Sequence, residues 1–166
     1  MQLARYAGPE PRSLAQALKG PDAAKWLKAA EEEMNALYEN QTWDLVPLPP
    51  GKKAIGSGWV FRIKHLSDGE VERYKGRVVA KGFSQRYGYD YIEVFAPTFH
   101  QASICLILAI AAVENLHLRS ADISSAFLNG DLEEEVYMKQ PEGLHQLGPE
   151  YVCKLNKALY GLKQSP

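Results

Sequence analysis

Two β-rich runs separated by an Asp-Gly pair constrain this chain most. They read GWVFRIKHL over 58–66 and VERYKGRVVA over 71–80, with Ser67, Asp68, Gly69 and Glu70 between them. Asp-Gly between β-branched and aromatic residues is a strong hairpin signal, because the tight turn needs residues that tolerate positive φ. A two-residue loop at Asp68-Gly69 sets Ser67 opposite Glu70. Counting back, Lys64 faces Arg73, Arg62 faces Lys75 and Val60 faces Arg77, all on one side of the ribbon. Phe61, Ile63 and Tyr74 take the other side, with His65 opposite Glu72. Like charges directly opposite cost about some tenths of a kcal/mol per pair. A row of them fits a face that meets a polyanion better than one that only solubilises a hairpin. A loop longer by one residue would flip the row to the other side.

The same segment concentrates positive charge. From Lys52 to Arg86 nine Lys/Arg stand against three Asp/Glu, a net of +6. From Tyr87 to Glu150 two stand against ten, a net of -8. The whole chain of 166 residues nets -1, so its attraction for anions or cations is local, with no global pull toward nucleic acid or membranes. A hydrophobic content of 46% supports a buried core and argues against whole-chain disorder. Cys105 and Cys153 have no Cys-x-x-Cys spacing, which disfavours a disulfide scaffold and a Cys-based zinc site. His65, His100, His117 and His145 show no ligand spacing and read as structural or surface residues. The longest apolar run, Ile104 to Val113, has ten residues and cannot span a bilayer. Residues 1–13 lack the apolar core of a secretory signal. The expected setting is cytoplasmic or nuclear, without membrane partners and not secreted.

Ser13 before LAQALK, with Gly20 as a stop, predicts a short helix. Pro21-Asp22 opens a longer one over 23–38. Trp26, Ala30, Met34 and Leu37 form its apolar stripe, and Glu31 to Glu33 its wet face. Thr42 to Val46 predicts a strand closed by Pro47, Pro49 and Pro50. Residues 101–115 predict a helix apolar nearly all round, and so a buried one. Residues 116–122 alternate as a candidate strand. Short strands follow at 136–138 and 151–155, with Pro141, Gly143, Gly148 and Pro149 in the loop between them. Helices alternating with antiparallel hairpins make an α+β fold.

Asp122 ends the candidate strand at 116–122. A carboxylate there can present an oxygen to a hard cation such as Mg2+, although an isolated Asp at such a place more often caps a turn. The glutamates at 133–135 read as a solvated face. No P-loop or Rossmann glycine pattern occurs, and Gly56-Ser57-Gly58 reads as a flexible lead-in to a strand.

Longer stretches are more specific. They are Asn40-Gln41-Thr42-Trp43 with Leu45-Val46-Pro47, GWVFRIK at 58–64, DGEVERYKGRVVAKGFSQRYGYDYIEVFAP at 68–97, ADISSAFLNGDLEEEVYMKQPEG at 121–143 and CKLNKALYGLKQSP at 153–166. In that order they resemble the reverse transcriptase of copia-type LTR retrotransposons, over residues 22–166. The resemblance implies a right-hand polymerase, its fingers and part of its palm, after a lead-in at 1–21. It implies RNA-directed DNA polymerisation with Mg2+, an RNA or DNA template-primer and a dNTP. Asp122 matches the first catalytic aspartate and metal ligand, and Ile123 would lend its carbonyl to the ion. Phe127 matches the gate under the sugar. Lys64 and Arg77 match the residues that grip the triphosphate, with Lys75 competing for the second role. Tyr160, Gly161 and Lys163 lie in the motif that touches nucleotide and template. The sequence departs from the family at Cys105, where an arginine is usual. It contains no Asp-Asp pair, so the Tyr-x-Asp-Asp motif is not in it. The expectation is a truncated reverse transcriptase domain that does not polymerise alone. A non-enzymatic nucleic-acid- or partner-binding remnant, or a pseudogene product, stays open as the alternative.

Overall fold

Gly69 sits at φ 87°, and this decides the turn. The computed structural model describes residues 10–92, 94, 100–119, 121, 128, 130–143 and 146–165. Among them are helices α1 (Leu14–Ala17), α2 (Ala23–Glu39) and α3 (Gln101–Val113). The strands are β1 (Trp43–Pro47), β2 (Ser57–His65), β3 (Val71–Ala80), β4 (Tyr137–Lys139) and β5 (Tyr151–Leu155). The result is a small α+β domain with antiparallel sheets, as the sequence predicts.

The Leu66 N–H donates to the Glu70 carbonyl and the Gly69 N–H to the Leu66 carbonyl, both at 2.9 Å. The loop is therefore Ser67 to Gly69, one residue longer than expected, closed by a left-handed glycine. Alone, that extra residue would flip the register. A bulge in β3 compensates: His65 faces Val71 while Lys64 faces Arg73, which leaves Glu72 as the surplus residue. The expected pairing of His65 with Glu72 is thus replaced. Past the bulge, Arg62 faces Lys75 and Val60 faces Arg77, as predicted.

The inner face of the hairpin packs on α2. Ser13 caps α1 with its hydroxyl on the Gln16 N–H, and Leu14 and Ala17 join the same core. In α2 the predicted stripe of Trp26, Ala30, Met34 and Leu37 is buried. The Trp26 ring stands edge-on to Phe61 and Tyr74, with centroids 5.3 and 4.6 Å away, and Trp59 stacks on Phe61. Burial of each such side chain is worth about 1.5–3 kcal/mol, so this aromatic cluster dominates the packing. Gly76 lets the helix come close, since a Cβ there would lie 3.2 Å from the Ala29 carbonyl oxygen.

The second sheet runs β1-β5-β4, with Trp43 opposite Leu155 and Tyr137 opposite Lys154. Ile55 stitches it to the hairpin. Its N–H donates to the Tyr137 carbonyl at 2.8 Å, and its carbonyl accepts from the Lys139 N–H at 2.9 Å. Gly56-Ser57-Gly58 is therefore anchored, and two of its three residues belong to β2.

Three expectations are corrected. Glu33 is half-buried rather than part of the wet face. Residues 116–119 and 121 have no strand structure, and Ser120 and Asp122 lie outside the described residues. Helix α3 forms where expected but is not buried: Leu106 is 61% and Val113 82% exposed, and only Ala111 is buried. Periodicity reports which faces are apolar, not what covers them. No helix among the described residues is long and apolar enough to cross a membrane.

The cysteines test this arrangement. Cys105 is exposed on α3, whereas Cys153 is buried in β5 and burial pushes its thiol up to about 12. Iodoacetamide should alkylate Cys105 alone in the native chain and both thiols in urea. Native protection of Cys105, read by mass spectrometry, would show that α3 is covered.

Candidate nucleic-acid interface

Alternation along the hairpin places Arg62, Lys64, Arg73, Lys75 and Arg77 on its outer face. Arg62 is not available as a bare cation, because its guanidinium pairs with the Glu10 carboxylate. The other oxygen of that carboxylate accepts the Ile63 N–H at 2.9 Å. Burial pushes the Glu10 carboxyl up, but this bond and Arg62 outweigh it, and the net direction is down. Arg73 meets Glu72 only at 3.9 Å. Lys64, Lys75 and Arg77 have no ion pair within 4 Å among the described residues. Burial lowers the pKa of the Lys75 amine, and Arg77 and Arg73 lower it further, as a row of like charges requires.

The structure brings three of the predicted positions together at the base of the hairpin. The Arg77 guanidinium lies over the Tyr160 ring, 5.0 Å from its centroid. The Tyr160 carbonyl accepts the Ala80 N–H at 2.8 Å, and the Gly161 carbonyl accepts the Gly82 N–H at 3.1 Å. Gly161 has φ 89°, and a Cβ on it would sit 2.2 Å from the Ala80 oxygen. Lys163 follows: its N–H donates to the buried Gln85 side chain at 2.8 Å, and its ammonium donates to Tyr91 Oη at 3.3 Å. Gln85 in turn donates to Gln164 and to the Asp90 carbonyl. Lys64 stands apart. Its partner Arg73 is four residues from Arg77, about 13 Å along the strand. Asp122, Ile123 and Phe127 lie outside the described residues. Among the described residues no group of three or more His, Cys, Asp or Glu could hold a metal ion.

Two participants escape a reading of the hairpin alone. Glu33, from α2, accepts the Val78 N–H at 3.1 Å on the outer edge of β3. Burial pushes its carboxyl up, and the Val78 bond, Arg77 and Lys75 only partly offset that. Nothing in the sequence signals this contact. Lys81 continues the alternation of Arg77 and Val79, a signal that was present in the pattern.

A family profile described as "Reverse transcriptase (RNA-dependent DNA polymerase)" matches residues 40–166. The chain belongs to the reverse transcriptase family. It is 48% identical over 158 residues to the "Retrovirus-related Pol polyprotein from transposon TNT 1-94" of Nicotiana tabacum, covering 95% of this chain and 12% of that protein. It is 48% identical over 159 residues to the corresponding polyprotein from transposon RE1 of Arabidopsis thaliana, covering 95% and 11%. The polyprotein from transposon RE2 of the same plant is 47% identical over 162 residues, covering 96% and 11%. The copia-type reverse transcriptase expected from the ordered motifs is thereby borne out. The chain spans about an eighth of the length of the first of these relatives. No solved structure matches it.

Two substitutions probe the site. Gly161→Ala should lose more than about 2 kcal/mol in urea unfolding, since strain at positive φ is compounded by a backbone clash. Gly51→Ala, at φ 80° with nothing within 4 Å of its Cβ, carries the strain alone and should lose less. Glu33→Gln keeps the acceptor and removes a titration. A carboxyl raised in the folded state contributes stability that is present below its ordinary value and lost as pH rises through the folded-state value. The stability of the parent relative to Glu33→Gln should therefore fall as pH rises above the ordinary carboxyl range, because burial raises the Glu33 carboxyl in the folded state.

Proposed function

We propose that residues 22–166 supply the fingers and part of the palm of an RNA-directed DNA polymerase, with 1–21 as a lead-in. The observation that carries this reading is the outer face of the hairpin. A bulge holds Lys64, Lys75 and Arg77 on one side despite their mutual repulsion. That arrangement suits a triphosphate or a nucleic-acid backbone, whose charges reward what the free chain pays for. Lys64 and Arg77 are assigned to the triphosphate of an incoming dNTP, with Lys75 beside them. Arg73, the cross-strand partner of Lys64, is about 13 Å along the strand from Arg77, so Lys64 and Arg77 would hold different phosphates of that triphosphate. Tyr160, Gly161 and Lys163 are assigned to nucleotide and template, and Phe127 to the sugar.

The family's divalent cation is assigned to Asp122, with the Ile123 carbonyl. One carboxylate and one carbonyl leave most of an octahedral Mg2+ shell to water, so the ion would be held weakly by this chain. The metal would stabilise charge on the transferring phosphoryl group. What the described residues supply is phosphate binding and orientation. The sequence has no Asp-Asp pair, and the chain by itself is expected not to extend primers. The setting is cytoplasmic or nuclear, with template-primer and dNTP as partners.

Fluorescence anisotropy on a labelled oligonucleotide tests the reading. Three phosphate contacts give a slope of log affinity against log salt of about -2 to -3. Lys64→Ala with Arg77→Ala should lower that slope by about two contacts for every sequence tried. Glu10→Gln should steepen it by about one contact, because Arg62 is released. A flat salt response from folded parent protein would leave the hairpin as a solubilising face.

A further inference from the structure

The cations of the outer face do not stop at Arg77. Side chains two apart on a strand share a face, so Arg73, Lys75, Arg77 and Val79 lie together and Lys81, one residue beyond β3, follows them. The Lys81 stem lies in a slot left open by two glycines. A Cβ on Gly56 would meet Lys81 Cδ at 2.9 Å, and one on Gly58 would meet Cε at 3.5 Å. The Lys81 N–H donates to the Gly56 carbonyl at 2.8 Å, which fixes the start of the stem. The side chain is thereby laid across the outer face of the hairpin and onto the wall of an open cleft of about 990 Å³.

This cleft lies between the hairpin's lead-in and the second sheet. Lys53 and Lys139 line it with Lys81. Lys52 also lines it but is held by Glu135 at 2.5 Å. Glu142 and Glu150 are the carboxylates of the lining, and among the described residues neither forms an ion pair with Lys53, Lys81 or Lys139. The walls are fixed to each other: Ile55 pairs with β4 on both of its backbone groups, and the Ser57 hydroxyl donates to the Gln140 carbonyl at 3.1 Å. Three lysines that form no ion pair among the described residues, in a cleft whose walls are tied to each other, call for an anion with several charges. A cleft of this volume is at the upper end of small-ligand sites, about 300–1,000 Å³, and has room for a few nucleotides but none for a duplex.

We propose that the cleft is a second phosphodiester site, which receives a single strand as it leaves the basic face of the hairpin. Lys81 stands at the junction, and Lys53 and Lys139 lie beyond it. From Arg73 to Lys81 the track spans about 26 Å before it enters the cleft, so a strand must be several nucleotides long to use both parts. The proposal rests on the nucleic-acid reading of the hairpin.

The test uses the full chain and a dye-labelled (dT) dodecamer. Reductive methylation followed by mass spectrometry reads each lysine. With the oligonucleotide bound, Lys53, Lys81 and Lys139 should react several-fold more slowly, while Lys19 and Lys28 near the N-terminus are unchanged. Lys53→Ala with Lys139→Ala should lower the salt slope by about 1.4, two single-strand contacts. Protection confined to Lys64 and Lys75, with an unchanged slope in that double variant, overturns the cleft and leaves the hairpin reading standing. Salt-independent behaviour of the parent overturns both. The footprint is taken on the parent, so a variant that fails to fold does not rescue the proposal.

Discussion

Backbone contact between the end of β3 and the Tyr160-Gly161 segment holds the rest in place. A two-stranded ribbon is marginal by itself, and its outer edge presents bare N–H groups. Here that edge is covered in sequence: Val78 by Glu33, Ala80 by the Tyr160 carbonyl and Gly82 by the Gly161 carbonyl. Each bond contributes about 1 kcal/mol net, but an orphaned buried donor would cost about 1–3 kcal/mol. The contact is possible only without a Cβ on either side. One on Gly82 would lie 2.0 Å from the Gly161 oxygen, and one on Gly161 2.2 Å from the Ala80 oxygen. The same contact sets Tyr160 under Arg77 and brings Lys163 to Gln85 and Tyr91. Residues far apart in the chain thereby share one rigid frame.

Much of this was legible in the sequence, and the failures have physical causes. The helical stripe of α2 and the strands β1 and β5 follow from local periodicity and from proline and glycine boundaries. The predicted register holds from Lys64 back to Val60, but not at His65, because two departures from the predicted hairpin cancel. The loop has one residue more than a minimal Asp-Gly turn, and β3 carries one residue more than its partner at Glu72. Neither is visible in a pattern of period two, because the inner face needs Phe61, Ile63 and Tyr74 and selects the register that buries them. Helix α3 shows the opposite limit. Its apolar composition is local, but burial is a property of what packs on it. The meeting of Arg77 with Tyr160, and of Glu33 with Val78, depends on chain segments 83 and 45 positions apart or on similar scales, and no local signal encodes it.

Membership of the reverse transcriptase family rests on ordered motifs, yet the family does not explain why a row of cations is tolerated in the free chain. The electrostatics do. Arg62 faces Lys75 and Lys64 faces Arg73, an arrangement that costs about some tenths of a kcal/mol per pair. Glu10 neutralises the first pair from the N-terminal side, and Glu33 sits near Arg77 and Lys75 from α2. Both carboxylates also hold a backbone N–H of the hairpin, so they are tied to the fold as well as to the charge. They differ in what a phosphate can do to them. Glu10 pairs directly with an exposed arginine, and a ligand that takes Arg62 must break that pair. Glu33 is half-buried behind the ribbon edge and stays. The basic face is therefore partly neutralised from its own chain. The number of cations left without a carboxylate, rather than the net charge of -1, would set how steeply the binding of a polyanion responds to salt.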